Sequence, residues 1–275
     1  MRCLVFGAAF LAAACAAAPS PPAPPASGKI ISIDYCADQM LLKLVERQRI
    51  GAVSNEVELD RYFAAPLAEG LPRVRPDIEA IMAIQPAAVV RSYGGSPALV
   101  TQLQKAGIKV IQLDYAADIK DISVNIRAAA RQLDAIPAGE KTVAMFEVQL
   151  AQRGQPINGA MPRLLYLTPG GVTSGPGSLI DGVMETSGYA NFETRPGWHN
   201  LPLEQMARIA PDAVFAAFFD NKAHDQDAWS SARHPLVTRS LKGKPVASIP
   251  GSAVSCGNWL AGDVVLRLRA MREKS

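Results

Sequence analysis

Aromatic and small polar residues recur where apolar runs of strand length end. Asp34-Tyr35-Cys36 follows one run, Arg91-Ser92-Tyr93-Gly94-Gly95 a second and Asp114-Tyr115 a third. In the second half, Thr168 to Gly175, Phe219-Asp220 and Ser252 to Trp259 stand in the same relation to their own runs. Trp198 lies just ahead of a helical segment. Aromatics make only 6% of the chain, so this concentration exceeds what core packing alone demands. Each ring can cover roughly 150–250 Å² of a flat apolar ligand at low entropic cost. The chemistry indicated is stacking on a large planar guest by Tyr35, Tyr93, Tyr115, Trp198, Phe219 and Trp259, with Cys36, Ser92 and Gly94 beside them. For Tyr35, Tyr115 and Phe219 the competing reading is a cap on the hydrophobic core.

Catalytic patterns are missing. No nucleophile elbow surrounds Ser174 or Ser178, no Gly-rich loop ends in Lys and Ser or Thr, and no paired cysteines form a zinc motif. His199, His224 and His234 are scattered, and the acidic stretch around His224 reads as a solvated loop and helix. The expectation is binding without catalytic residues, metal or cofactor.

The elements that must position these residues alternate. Strand-length runs at Lys29 to Ile33, Ile50 to Val53, Ala87 to Val90, Lys109 to Leu113, Arg163 to Leu167, Ala213 to Phe218 and Pro245 to Ile249 are separated by helical patterns. Those patterns include Asp38 to Val45, Ile78 to Ile84, Pro97 to Ala106, Ser178 to Ser187 and Leu203 to Ile209. Such alternation predicts α/β architecture with mainly parallel sheets, in which ligands bind beyond the carboxyl ends of the strands. One phrase occurs in each half. Ile78 to Val90 and Leu203 to Phe215 both encode an amphipathic helix with a glutamate in its first turn, a proline stop and an apolar strand. The repeat predicts two Rossmann-like lobes, at 29–138 and 156–275, with the ligand cleft between them. Gly139 to Arg153 lacks proline and internal glycine, and spaces Val143, Phe146 and Leu150 helically. It reads as a single connecting helix, assigned to 139–155, with an ordinary core helix of a single domain as the alternative.

The first residues read as an export signal. Arg2 precedes an uncharged run from Leu4 to Ala14 that is too short to span a bilayer. Cys15 follows small residues and is a candidate for lipidation. Residues 16–28 are rich in Pro and Ala and read as an extended tether. Signal (1–15) and tether imply periplasmic or extracytoplasmic placement, with membrane attachment only through a lipid. A net charge of +3 without a basic run gives no footprint for nucleic acid.

In this order the motifs resemble the substrate-binding proteins that serve cobalamin and iron-siderophore ABC importers. They are the opening strand Lys29 to Ile33, Leu71-Pro72-Arg73-Val74, the Ile78 to Val90 phrase, Tyr93-Gly94-Gly95, Gly107-Ile108-Lys109-Val110, Thr173-Ser174-Gly175, and Trp198 leading into Leu203-Glu204-Gln205. The resemblance implies two α/β lobes joined by one long helix, with little hinge closure. It also implies a monomer that delivers a metal chelate, cobalamin or a related corrinoid, to a permease and its ATPase. Glu79 and Glu204 match the glutamates by which cobalamin members dock with the permease. Trp198 falls at a cleft tryptophan of those members, whereas Gln112 and Val172 stand where they have aromatics and Ser187 replaces a cysteine. An iron-siderophore or haem guest is the alternative, and an exported enzyme using the same cleft a distant one. Among cleft candidates only Arg91 and Arg195 would meet an anionic chelate.

Cys36 and Cys256 are the cysteines beyond the signal. Both follow strands expected to end at the cleft, one per lobe. Three states are open to them: a bond across the site, two free thiols, or contact with the ligand's metal.

Overall fold

The computed structural model describes residues 28–93, 95–152, 159–218 and 230–274. Residues 1–27, including the signal, tether and Cys15, lie outside the described residues, as do Gly94, Phe219 and His224. The first half runs β1 (Ile30–Ser32), α1 (Tyr35–Leu44), β2 (Ile50–Ser54), α2 (Ala64–Leu67), β3 (Arg73–Val74), α3 (Ile78–Ile84), β4 (Ala88–Arg91), α4 (Pro97–Lys105), β5 (Lys109–Gln112), α5 (Asp121–Gln132) and α6 (Ile136–Ala151). The second runs β6 (Arg163–Leu167), β7 (Val172–Ser174), α7 (Leu179–Thr186), β8 (Ala190–Asn191), β9 (Trp198–Asn200), α8 (Leu203–Arg208), β10 (Ala213–Phe218), α9 (Pro235–Leu241), β11 (Val246–Pro250), α10 (Ser252–Ser255) and α11 (Leu260–Arg272).

The first lobe is a parallel sheet of order β3-β2-β1-β4-β5, the second a parallel sheet of order β11-β10-β6-β8, and β7 and β9 form an antiparallel pair beside it. β1 is buried along its whole length, which is why its sequence is a plain apolar run and not an alternation. In the first sheet the chain builds outward one way from β1 through β2 and β3, then returns to build the other way from β4. The crevice between the carboxyl ends of β1 and β4 is therefore a topological switch point.

One core passes through both lobes. Leu41, Ile126, Val143 and Phe146 belong to the same buried cluster as Tyr166, Phe215, Val265 and Leu268. On α5, Ile122, Ile126, Ala129 and Ala130 form one stripe, facing Gly139, Thr142, Val143 and Phe146 of α6. A side chain at Gly139 would collide with Ala130, so these helices meet at short range. α11 closes the other side of α6. Arg269 donates to the carbonyls of Gln149 at 3.0 Å and Leu150 at 3.0 Å, and to Thr186 of α7 at 2.7 Å. A guanidinium thus satisfies last-turn carbonyls of two helices.

Two differences from the sequence reading concern the site. α1 starts at Tyr35 and not at Asp38, because Asp34 caps it by accepting from the Ala37 N–H at 2.8 Å. Tyr35 and Cys36 are therefore first-turn helical residues. α6 likewise starts at Ile136, with Pro137 in its first turn, three residues before the expected Gly139.

Asp38 is fully buried under β1 and β2, where the hydroxyls of Ser32 and Ser54 and the Ser54 N–H donate to it. Burial raises its pKa from 3.8 to about 6 despite those hydrogen bonds. The folded form thus binds the proton more tightly than the unfolded chain. Stability falls as pH rises from about 4 to 6 and is level above, by at most about 3 kcal/mol. Asp38→Asn keeps an acceptor for Ser54 and removes the charge. It should melt above the parent at pH 7, with the gap closing by pH 4 in parallel thermal scans; a gap independent of pH would refute this account.

Candidate functional site

At the switch point, Asp34 bridges the two strand ends. One carboxylate oxygen caps α1, and the other accepts from the Ser92 N–H at 2.8 Å. This fixes Tyr35 beside Ser92 and Tyr93. Both tyrosines then reach into the second lobe: the Tyr35 hydroxyl donates to Ser255 Oγ at 2.9 Å, and the Tyr93 hydroxyl donates to the Ser255 carbonyl at 3.0 Å. Next to them Cys36 and Cys256 are joined through Sγ, 2.03 Å apart. α1 and the segment after β11 thus meet at the floor of the cleft.

Tyr93 is half exposed and so is Tyr115, with ring centroids 4.8 Å apart at 75°. Burial raises the pKa of Tyr93, helped by the neighbouring Tyr115, Tyr35 and Asp34; Tyr35 is raised chiefly by burial too. These phenols stay protonated donors at neutral pH. In the second lobe, Trp198 on β9 is 54% exposed and rests edge-on against buried Tyr166, centroids 5.9 Å apart. Burial holds the Tyr166 phenol well above the ordinary tyrosine value. Two aromatic surfaces are therefore open, Tyr93–Tyr115 in one lobe and Trp198 in the other.

The remaining candidates divide. Ser92 lines a cavity of about 380 Å³ at the switch point, together with Arg91. Gln112 is exposed at the end of β5 and donates to the Leu113 carbonyl at 3.2 Å. Val172 is partly buried in β7, opposite Asn200. Trp259 corrects the sequence reading. It is 2% exposed, stacked edge-on with Phe63 at 5.3 Å beneath the Lys43 ammonium, and belongs to the core. Its glycine and polar flanks suggested a loop, but Phe63 and Lys43 arrive from the other lobe to cover it. Arg195 is held by Glu193 at 2.8 Å. Burial raises the Glu193 pKa, but the hydrogen bonds and charge of Arg195 outweigh it and hold the carboxyl below its ordinary value.

Sequence reasoning missed a buried network between the lobes. Asp60 accepts from Gln39 Nε2 at 2.7 Å and from Ser252 Oγ at 2.8 Å, while Gln39 also bonds the Ser252 carbonyl and Asn258. No local pattern marks it, because its two halves, Gln39 with Asp60 and Ser252 with Asn258, lie 192 to 219 residues apart. Glu79 and Glu204 are exposed in the first turns of α3 and α8. Among the described residues no cluster of His, Cys, Asp or Glu is arranged to hold a metal, and no helix is long and apolar enough to cross a membrane.

Two parallel-sheet lobes sharing one core, with Tyr93 and Tyr115 beyond the carboxyl ends of β4 and β5, are the architecture of a two-lobed binding protein. The chain belongs to the periplasmic binding protein family, whose model matches residues 30–231. It is 25% identical over 194 residues to a protein of Halobacterium salinarum described as a cobalamin-binding protein, a match covering 68% of this chain and 53% of that protein. The chain therefore spans about half the length of the curated relatives it matches. Among solved structures it is similar to the periplasmic heme binding protein HutB of Vibrio cholerae, with a TM-score of 0.71 and 18% identity over 90% of this chain and 99% of the other. It is also similar to the periplasmic vitamin B12 binding protein BtuF of the same organism, with a TM-score of 0.62 and 17% identity over 90% and 97%. At these identities the structural likenesses establish the fold.

Proposed function

We propose that this chain is the substrate-binding component of an ABC importer that takes up a flat metal chelate of the tetrapyrrole kind, a corrinoid such as cobalamin in the first place. The guest lies between the lobes and is delivered to a permease. The observation that carries this reading is the pair of open aromatic surfaces, Tyr93–Tyr115 in one lobe and Trp198 in the other. The cobalamin-binding description of the Halobacterium salinarum relatives supports a corrinoid. Glu79 and Glu204, exposed on corresponding helices of the two lobes, are proposed to meet arginines of the permease. Ion pairs of this exposed kind orient and speed encounter more than they add affinity. Export by the segment before residue 28 places this work outside the cytoplasm, with Cys15 as a candidate lipid anchor.

A haem-type porphyrin is the second reading, favoured by Arg91, which lines the cavity beside Tyr35 and Tyr93 and is paired with no carboxylate among the described residues.

Trp198→Ala tests the cleft assignment. Covering the exposed half of the indole contributes about 2 kcal/mol at roughly 25 cal/mol per Å², so the variant should bind cobalamin or cobinamide about 30-fold more weakly. Titration by calorimetry checks this, with the melting temperature of the unliganded variant as the control for folding. Unchanged affinity for a guest that the parent binds would remove Trp198 from the site.

A further inference from the structure

Arg91 ends β4 and is 7% exposed, yet its guanidinium makes no hydrogen bond or ion pair with any described residue. Its N–H donors are therefore free to meet an acceptor that enters from outside. The side chain lines the cavity of about 380 Å³ at the switch point. Space for it is made locally: a Cβ on Gly95 would stand 2.9 Å from Arg91 Nη2, and Gly95 itself has a φ of +72°. Around the same cavity are Ser92 and Ser96, the latter capping α4. The positive end of that helix dipole adds to the guanidinium field. Asp34 is engaged with the N–H groups of Ala37 and Ser92, and neither Asp34 nor Glu56 is paired with Arg91. Tyr93 lies in the same wall, so the cavity adjoins the aromatic surface.

We infer that Arg91, with Ser92 and Ser96, forms a subsite for an oxyanion, a carboxylate or phosphate, borne on the edge of the guest whose flat face meets Tyr93 and Tyr115. The inference rests on the proposed function for its guest, but the subsite itself can be tested without one. Planar bidentate recognition of a carboxylate or phosphate is what a guanidinium does best. The subsite divides tetrapyrroles by their edges: a porphyrin with ionised side chains or a corrinoid with its phosphodiester fits, and a fully amidated or esterified ring leaves Arg91 unpaired.

The test compares matched probes on the parent, Arg91→Met and Arg91→Lys by quenching of protein fluorescence. The pairs are ferric protoporphyrin IX against its dimethyl ester, and cobalamin against cobinamide. In parallel, melting temperatures are read with inorganic phosphate or acetate at constant ionic strength. In the parent the anionic member of a pair should bind about tenfold or more tightly than its neutral counterpart. Arg91→Met should abolish that preference while leaving the neutral member unchanged, and Arg91→Lys should keep part of it. If Arg91→Met does not fold, the partial loss in Arg91→Lys decides. No preference in the parent, or one that survives in Arg91→Met, overturns the subsite; so does equal loss of both members. If no tetrapyrrole binds, the proposed function fails and the anions alone decide. A rise in melting temperature with phosphate or acetate that requires Arg91 then supports a site for a free anion, and no such rise overturns it.

Discussion

Replacing Cys36 and Cys256 together by serine lowers the free energy of unfolding by up to roughly 5 kcal/mol in the chain-entropy account. The two residues are 220 apart in sequence, and loop-closure entropy grows with the logarithm of that separation. Cys36 sits in the first turn of α1, and Cys256 directly follows α10. The bond therefore secures the segment on which Tyr35 and Tyr93 also converge through Ser255. Urea unfolding of parent and double variant gives the magnitude. Thiol titration of freshly purified, unfolded parent checks the premise, since two free thiols would remove the bond and its contribution. The extracytoplasmic placement proposed for this chain is one in which disulfides persist.

Asp60→Ala should destabilise by about 3–5 kcal/mol, because it strips several buried donors of their shared acceptor. Asp60 is fully buried, and its two oxygens accept four hydrogen bonds. Two come from Gln39 and Ser252, and two from the N–H groups of Phe63 at 3.1 Å and Ala64 at 3.0 Å. Without the carboxylate, an amide, a hydroxyl and two backbone donors lose their acceptor, and each buried unsatisfied group costs about 1–3 kcal/mol. Asp60→Asn retains an acceptor and should lose clearly less. Denaturant unfolding of both variants measures the difference. Equal losses would mean that cavity formation, and not the hydrogen bonds between the lobes, dominates.

The strands and the paired helix-proline-strand phrases were legible because they obey short-range rules. Ile30-Ile31 and Val89-Val90 are apolar runs bounded by breakers, and α3 spans Ile78–Ile84 as its pattern indicates. α5 was passed over because much of its buried stripe is alanine, Ala129 and Ala130, which contrasts weakly with its surroundings. β3 and β8 are two residues long, too short to show a period. Of the proposed site, the exposed aromatics Tyr93, Tyr115 and Trp198 could be picked out as rings at strand ends or near helix starts. Trp259 misled for the converse reason: Asn258 and Gly257 beside it speak for exposure, but its cover comes from Phe63, which no local window contains. The Gln39–Asp60–Ser252–Asn258 network shares that invisibility.

The central claim, a tetrapyrrole held between the lobes, is tested most directly by thermal melting of the unliganded protein with cobalamin, cobinamide and haem, with ferric siderophores as a contrast. A true guest at a hundred times its dissociation constant adds about 2.7 kcal/mol, or roughly 5–10 °C for a chain of this size. The account predicts such a rise with at least one of the three tetrapyrroles, and a smaller rise in Trp198→Ala. It is contradicted if none of the three raises the melting temperature, or if the rise is the same with and without Trp198.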